Sequence, residues 1–437
     1  MVEIYQFDIL RLWIVIIVTF VSYFWVLKIE NVKIKLWYIL VASFMLIYSG
    51  IGGAIKEVSV DYTKYYCIYT IILSMSLHFF YFKFNINRKE NEIIVDFRVN
   101  DIVVDFIDRH GLKIIIFYFL LLLVDLVYPT VRLNLLINPP SPSLEGLHYN
   151  KFVTNDNGDM ITQMVYLLEQ FVVPFFFLSL YKYRENYKYI LVLLLLPVYI
   201  DLCNRGIFGR GEAMIPLVII LLVLYEKISP KKRKILIVGV TFALPVFCYL
   251  FVQFSSLRIG GTFEQISFTD SMQIIFGQEI SYPTQFNDYR NLRSDVDIMD
   301  YIMWVILLPL PGFLKFGYGD PQINLKFTML VSGLDPTMAT FSICLPGMVG
   351  ESLFVFGKYL FPLHAIIYAI IITILIKFLS KADAYKYLFF YVLTVFSYNI
   401  CRGGTASAYS FAFKQFLIFL FFIYYLKRKN RRYINGH

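Results

Sequence analysis

The sequence predicts an all-α polytopic integral membrane protein with about eleven transmembrane helices, its N-terminus outside and its C-terminus inside. Three observations carry that class. First, the 437 residues are 58% hydrophobic and only 16% charged, against roughly 45–50% and about 25% in soluble domains. The mean hydropathy is +0.64. Second, the apolar residues fall in stretches of about 20, the length that crosses a hydrocarbon core as a helix. Third, Lys and Arg alternate from side to side along the chain. This composition excludes a disordered chain, a disulfide-stapled secreted domain and an ordinary cytosolic enzyme. The net charge of +9 would point to nucleic acid in a soluble protein. Here it reflects positive loops on the inner side, so no nucleic-acid partner is read from it.

The spans are predicted, in order, at Leu10–Leu27, Leu36–Ala54, Tyr65–Phe82, Ile114–Tyr128, Met160–Tyr181, Tyr189–Cys203, Ala213–Tyr225, Ile235–Phe254, Tyr359–Leu379, Leu388–Ile400 and Ala406–Leu426. The first has no small-residue cleavage pattern after it and is expected to remain as an uncleaved helix. With the N-terminus outside, the inner connections and tail, together with Lys377 at the inner end of the ninth span, hold 25 of the 40 Lys and Arg. Examples are Lys231, Lys232, Arg233 and Lys234, and Lys427, Arg428, Lys429, Arg431 and Arg432. That alternation sets the orientation and requires an even number of further spans, most simply none, between Phe254 and Tyr359.

The chain reads as a single transmembrane domain over 1–437, with a large outer loop, 255–358, inserted between spans 8 and 9. The loop is too apolar for disorder. Pro309 and Pro311 break the apolar run Asp300–Lys315, which predicts a re-entrant or interfacial segment. Its part Trp304–Phe313 is placed over a lipid-facing cleft. Cys344–Phe356 is predicted as a second interfacial helix. Tyr282, Tyr289 and Tyr301 are candidates for stacking on sugar faces or for ordinary interfacial tyrosines. A shorter outer segment, Asn138–Asp159, is rich in turn residues; Asp156, Asn157, Gly158 and Asp159 lack the later glutamate of a calcium loop and read as a capped turn. The cysteines Cys67, Cys203, Cys248, Cys344 and Cys401 form no C-x-x-C pair and read as small buried hydrophobes.

Three outer helix ends carry arginine beside glycine. They are Arg205-Gly206 leading to Gly209-Arg210-Gly211, then Arg258-Ile-Gly260-Gly261, and Arg402-Gly403-Gly404-Thr405. Guanidinium bonds phosphate oxygens in pairs, and glycine permits close backbone approach. A following helix N-terminus adds positive dipole. Arg205, Arg210, Arg258 and Arg402 are therefore candidate diphosphate ligands. The alternative is that glycine ends each helix and arginine snorkels to the interface.

Ionisable residues within spans are the second lead. Glu169 and Lys414 each lie roughly 12–14 Å below the outer surface at 1.5 Å per residue and are predicted to pair, for structural or acid–base reasons. Asp125 and His364 sit nearer that surface, His364 as helix–helix hydrogen-bonder or base. Asp295-Val-Asp297 has the D-x-D spacing of metal-dependent transferases but follows Arg290 and Arg293, which can pair with it. No metal site and no cofactor is assigned. No P-loop is found, which disfavours ATP-driven pumping.

In layout the chain resembles the Wzy-type O-antigen or capsule repeat-unit polymerases: many spans, high Phe, Tyr and Ile content, arginine-bearing outer loops and a large outer loop before the last helices. Asn204-Arg205-Gly206 is similar to the family's S/N-R-G stretch. Thr340-Phe-Ser342 followed by Gly350-Glu351 through Phe356-Gly357 is similar to its G-E-x-x-x-x-F-G segment. The resemblance implies a GT-C-like glycosyltransferase fold in a bacterial inner (cytoplasmic) membrane, its active site facing the periplasm or exterior. It implies transfer of a growing glycan from undecaprenyl diphosphate onto an incoming lipid-linked repeat unit. The implied partners are polyprenyl-diphosphate-linked donor and acceptor, membrane lipid and a chain-length regulator, with no metal. In that scheme Arg205, Arg210, Arg258 and Arg402 stabilise charge on the leaving diphosphate, and Arg402 and Arg205 count as catalytic. Glu351 is the first candidate to orient or deprotonate the acceptor hydroxyl. Asp201, His364, Glu169 and Lys414 are further acid–base or structural candidates. The related ligases centre on an outer histidine motif that His148 and His364 do not match. A lipid-linked oligosaccharide flippase and a ligase-like transferase stand as the alternatives.

Overall fold

The computed structural model describes residues 6–83, 97–124, 126–128, 131–137, 160–205, 210–229, 231–236, 239, 296–307, 317, 322–332, 345–380 and 382–435. These are mostly helical, with no strand among them. Among the described residues, five helices are long and apolar enough to cross a membrane: Ile9–Lys28, Val32–Ala54, Val60–Lys83, Met164–Tyr183 and Pro362–Leu379. The protein is thus an all-α chain with membrane-spanning character. The predicted eighth span, Ile235–Phe254, falls almost wholly outside the described residues.

The chain forms two compact units. The first comprises Met1–Ile93, Phe276–Phe378 and Val395–Phe413; the second comprises Ile94–Ile275, Leu379–Thr394 and Lys414–His437.

In the first unit, α1 (Ile9–Ser22) starts where the Asp8 carboxylate accepts from the backbone N–H groups of Leu10 and Arg11, at 3.0 and 3.2 Å. The Arg11 backbone bond leads in holding the Asp8 carboxyl below its ordinary range. Asn31 caps α2 (Val32–Met45) in the same way, as small polar side chains do for the orphan donors of a first turn. α1 buries Val15 and Thr19 and exposes Ile9, Leu10, Trp13, Ile17 and Phe20. An apolar helix that leaves such a face uncovered by protein is suited to lipid. α2 ends in a π-turn, Leu46–Gly50, and a 3₁₀ turn, Ile51–Ala54. A Cβ on Gly50 would lie 2.8 Å from both Val15 Cγ1 and the Tyr66 ring. Glycine there lets α1, α2 and the next helix meet.

That helix, α3 (Val60–Lys83), buries Tyr62, Tyr66, Tyr69, Leu73 and Leu77, spaced to share one face. The Tyr66 hydroxyl is 2.7 Å from Thr19 Oγ1.

The second unit begins with α4 (Phe97–Val124) and continues through α5 (Met160–Ser179), α6 (Tyr187–Arg205) and α7 (Arg210–Lys227). α4 reaches well before the predicted span because its polar start is itself helical, braced by Arg109 on Asp105 one turn earlier at 2.8 Å. Pro174, Pro197 and Pro216 lie inside α5, α6 and α7, a placement membrane helices tolerate better than soluble ones. Aromatic rings fill the interior: Tyr118 sits 4.4 Å from Phe176, and Phe177 stacks on Tyr391 at 4.0 Å.

The remaining helices are α8 (Ile298–Leu307), α9 (Ile323–Ser332), α10 (Gly347–Leu360), α11 (Pro362–Leu379) and α12 (Lys386–Asn435). α8 is described as far as Leu307; Pro309 and Pro311, and the break expected there, lie outside the described residues. Asp297 accepts from Met299 N at 2.6 Å and Asp300 N at 3.3 Å, so it works as a helix cap. Asp295, its D-x-D partner, is outside the described residues.

α10 corrects an expectation. The segment predicted as an interfacial helix over Cys344–Phe356 is buried at every position from Gly347 to Phe356. A helix resting on headgroups would keep one polar, exposed face. This one is apolar all round apart from Glu351 and Ser352, and such a helix belongs in an interior.

Candidate functional site

Two helical interruptions within the first unit fall at glycine. α10 breaks at Gly357, with φ 68° and ψ −179°. α12 breaks at Gly404, with φ 73° and ψ −168°. This backbone region is all but closed to residues with a Cβ. Both glycines close motifs already marked in the sequence, Gly350-Glu351 to Phe356-Gly357 and Arg402-Gly403-Gly404-Thr405.

The break at Gly404 turns the Thr405 N–H toward α10, where it donates to Glu351 Oε2 at 2.5 Å. The other carboxylate oxygen, Oε1, is 2.8 Å from the Tyr301 hydroxyl. That hydroxyl also lies 2.8 Å from Thr405 Oγ1, and Thr405 Oγ1 lies 3.0 Å from His364 Nε2. His364 Nδ1 is 2.7 Å from the Tyr69 hydroxyl. Five side chains from α3, α8, α10, α11 and α12 therefore form one hydrogen-bonded chain, Tyr69–His364–Thr405–Tyr301–Glu351. None is more than 4% exposed. The Tyr301 ring packs 5.7 Å from Trp304 and 5.5 Å from Phe356.

Arg402 lies two residues before the break and is half-buried. Its Nη1 donates to the Tyr398 hydroxyl at 3.0 Å, and its guanidinium stands 5.7 Å from that ring. Tyr48, in the π-turn, meets Tyr398 edge-on at 5.7 Å. On another side, Gly347 is so close that a Cβ there would lie 3.1 Å from the Cys401 carbonyl oxygen. The stretch 401–405 is thus held by Gly347, Glu351, Tyr301 and His364, and Arg402 is presented from it.

Of the predicted catalytic set, Glu351 and Arg402 share this unit and this stretch, and His364 joins Glu351 through Thr405. Arg205 ends α6 and Arg210 opens α7, both in the second unit; their side chains, and all of Arg258, lie outside the described residues. Asp201 is half-buried in the last turns of α6. The expected Glu169–Lys414 pair involves a lysine side chain outside the described set. The next residue of each helix, Gln170 and Gln415, makes a 2.6 Å hydrogen bond, and Gln415 in turn accepts from Tyr391 at 2.6 Å. Asp125, Tyr282, Tyr289 and the segment Asn138–Asp159 also lie outside.

Two expectations change. Tyr301 is no sugar-stacking platform: it is 1% exposed and its hydroxyl serves Glu351 and Thr405. The helix-start donor after the Arg402 motif is not offered to a phosphate. Thr405 N–H already serves the Glu351 carboxylate, an anion of the protein's own. Sequence reading missed Tyr69 and Thr405. Thr405 carried a signal, since it directly follows the glycine pair; Tyr69 carried none beyond its place on the buried stripe of α3.

Replacing Tyr301 by Phe removes one bond from Glu351 and one contact from Thr405 in a dry interior. The expected loss is about 1–3 kcal/mol of stability, read as a lower midpoint of thermal unfolding in detergent.

No family model, curated protein or solved structure matches the chain. Its functional reading rests on its own residues.

Proposed function

We propose that this chain is a membrane glycosyltransferase that joins undecaprenyl-diphosphate-linked oligosaccharide repeat units into O-antigen or capsular polysaccharide at the outer face of the bacterial inner membrane. On this reading it has eleven spans and a GT-C-like arrangement. The observation that carries the proposal is the pairing, within one unit, of Arg402 on a glycine-broken helix with the buried carboxylate of Glu351. Group transfer from a lipid diphosphate needs both kinds of residue. The acceptor oxygen bonds to the anomeric carbon, the bond from that carbon to the diphosphate breaks, and the diphosphate leaves with the electron pair. A fixed guanidinium stabilises the charge that develops there. A carboxylate receives the proton of the acceptor hydroxyl. Because Glu351 is enclosed, that hydroxyl has to enter the unit to reach it. Arg205, Arg210 and Arg258 remain further diphosphate ligands in the proposal.

A second reading has its own support. Buried Glu–His hydrogen-bond chains mark proton relays in transporters, which favours a proton-coupled flippase for the lipid-linked oligosaccharide. Deletion of the gene, followed by a gel of surface polysaccharide, separates the two. Collapse of a polymer ladder to a single repeat unit is the result expected of the polymerase. Loss of every repeat unit, with no lipid-linked polymer in the membrane, would install the flippase instead. Loss from the surface with lipid-linked polymer retained would install the ligase-like transferase.

A further inference from the structure

We infer that Tyr69, His364, Thr405 and Tyr301 work with Glu351 as a single proton-exchanging unit, in which the tautomer of His364 follows the charge of Glu351. The argument is a count of protons along the five-residue chain. With Glu351 ionised, each link has one donor and one acceptor if all donors point the same way. Tyr301 donates to Glu351, Thr405 to Tyr301, His364 Nε2–H to Thr405, and Tyr69 to His364 Nδ1. The distances of 2.8, 2.8, 3.0 and 2.7 Å are hydrogen-bonding distances in either sense. The Tyr301 hydroxyl faces both Glu351 Oε1 and Thr405 Oγ1 as a donor but has one hydrogen, which an ionised Glu351 claims, so Thr405 then donates to Tyr301. Once Glu351 gains a proton and donates, the links are satisfied in the opposite sense. Tyr301 then donates to Thr405, Thr405 to His364 Nε2, and His364 Nδ1–H to Tyr69. The two arrangements hold one hydrogen on each hydroxyl and one on the imidazole, and differ by the single proton on Glu351.

Serine, threonine and tyrosine hydroxyls both donate and accept, and a neutral imidazole does so with its two nitrogens in either order. The chain contains no group confined to one role except the carboxylate that sets its direction. In a buried site a lost bond is costly, so the chain favours complete reversal over a half-satisfied state. Resting on the transferase reading, this unit lets Glu351 take the acceptor hydroxyl's proton with all four links of the chain kept. Tyr69, His364, Thr405 and Tyr301 are then positioning residues for that step.

The test needs no substrate, so it stands or falls apart from the polymerase reading. The full-length protein, labelled with ¹³C and ¹⁵N at histidine, is placed in lipid nanodiscs, and ring shifts are recorded by NMR. His364→Asn identifies the signal among the five histidines. Wild type at neutral pH should show the Nε2–H tautomer. In Glu351→Gln the side-chain oxygen takes the Thr405 N–H and the amide NH₂ donates to Tyr301, so His364 should switch to Nδ1–H. Thr405→Val cuts the chain, and adding Glu351→Gln to it should no longer change the tautomer. An Nδ1–H signal in wild type would overturn the inference, as would an unchanged tautomer in Glu351→Gln. A change that persists across the Thr405→Val cut would overturn it too. If Glu351→Gln does not fold, the wild-type tautomer together with Tyr301→Phe decides. Tyr301→Phe frees Thr405 from its fixed direction, so a mixture of tautomers is expected, and a retained single Nε2–H form would refute the coupling.

Discussion

Gly404→Ala is expected to be among the most destabilising single substitutions in the first unit. Two costs combine. The backbone conformation at 404, φ 73° and ψ −168°, disfavours any residue with a Cβ by about 1–3 kcal/mol. The new methyl would also land on Glu351 Oε2, so the carboxylate has to retreat from the Thr405 N–H and the Tyr301 hydroxyl. Buried groups stranded in that way cost about 1–3 kcal/mol each. The total reaches the exceptional end of point substitutions, at or beyond about 4 kcal/mol. Gly357→Ala supplies the comparison. Gly357 shares the backbone conformation, with φ 68° and ψ −179°, but a Cβ there has no neighbour within 4 Å. Its cost should be the backbone contribution alone. Unfolding midpoints of the two variants in the same detergent measure the difference, and equal losses would mean that the Glu351 clash relaxes freely.

Arg402→Ala should abolish polymer while the protein stays in the membrane at normal abundance. Removing one preorganised donor to developing charge costs about 10²–10³-fold in rate in enzymes that depend on it, enough to reduce a ladder to its first rung. Lysine should rescue poorly, because an ammonium offers neither the paired N–H geometry nor the planar contact with Tyr398. A normal ladder in Arg402→Ala would remove Arg402 from the diphosphate site. It would leave the chain of five buried side chains untouched, since no link of that chain runs through the guanidinium.

Five of the eleven predicted spans were legible as apolar stretches in the described residues, because lipid imposes long apolar helices whatever their tertiary contacts. The stretches predicted at Leu10–Leu27, Leu36–Ala54 and Tyr65–Phe82 correspond to Ile9–Lys28, Val32–Ala54 and Val60–Lys83. Both glycine motifs were visible as motifs. Gly357 and Gly404 look like helix boundaries in the sequence, and each sits at a kink where two helical segments meet; the positive φ there was not legible. Tyr301 was misjudged because a tyrosine in an outer loop reads as interfacial until α10 is known to be buried. That burial had a signal, in the nearly unbroken apolar character of Gly347–Phe356. The Tyr69–His364 contact had none. It joins residues 295 positions apart, and no periodicity or spacing encodes a partner at that distance.

The first unit is assembled from three separated lengths of chain, and this has a consequence for its biosynthesis. Tyr69 is made well before Thr405. At about 5–20 residues per second, the helices of residues 9–83 wait roughly 20–70 s in the bilayer before the final piece arrives. Until residue 364 has been made, the hydroxyl of Tyr69 faces hydrocarbon or a temporary neighbour, without His364 beside it. A ribosome stalled before residue 364 should therefore leave the helices of residues 9–83 more open to proteolysis than they are in the finished protein.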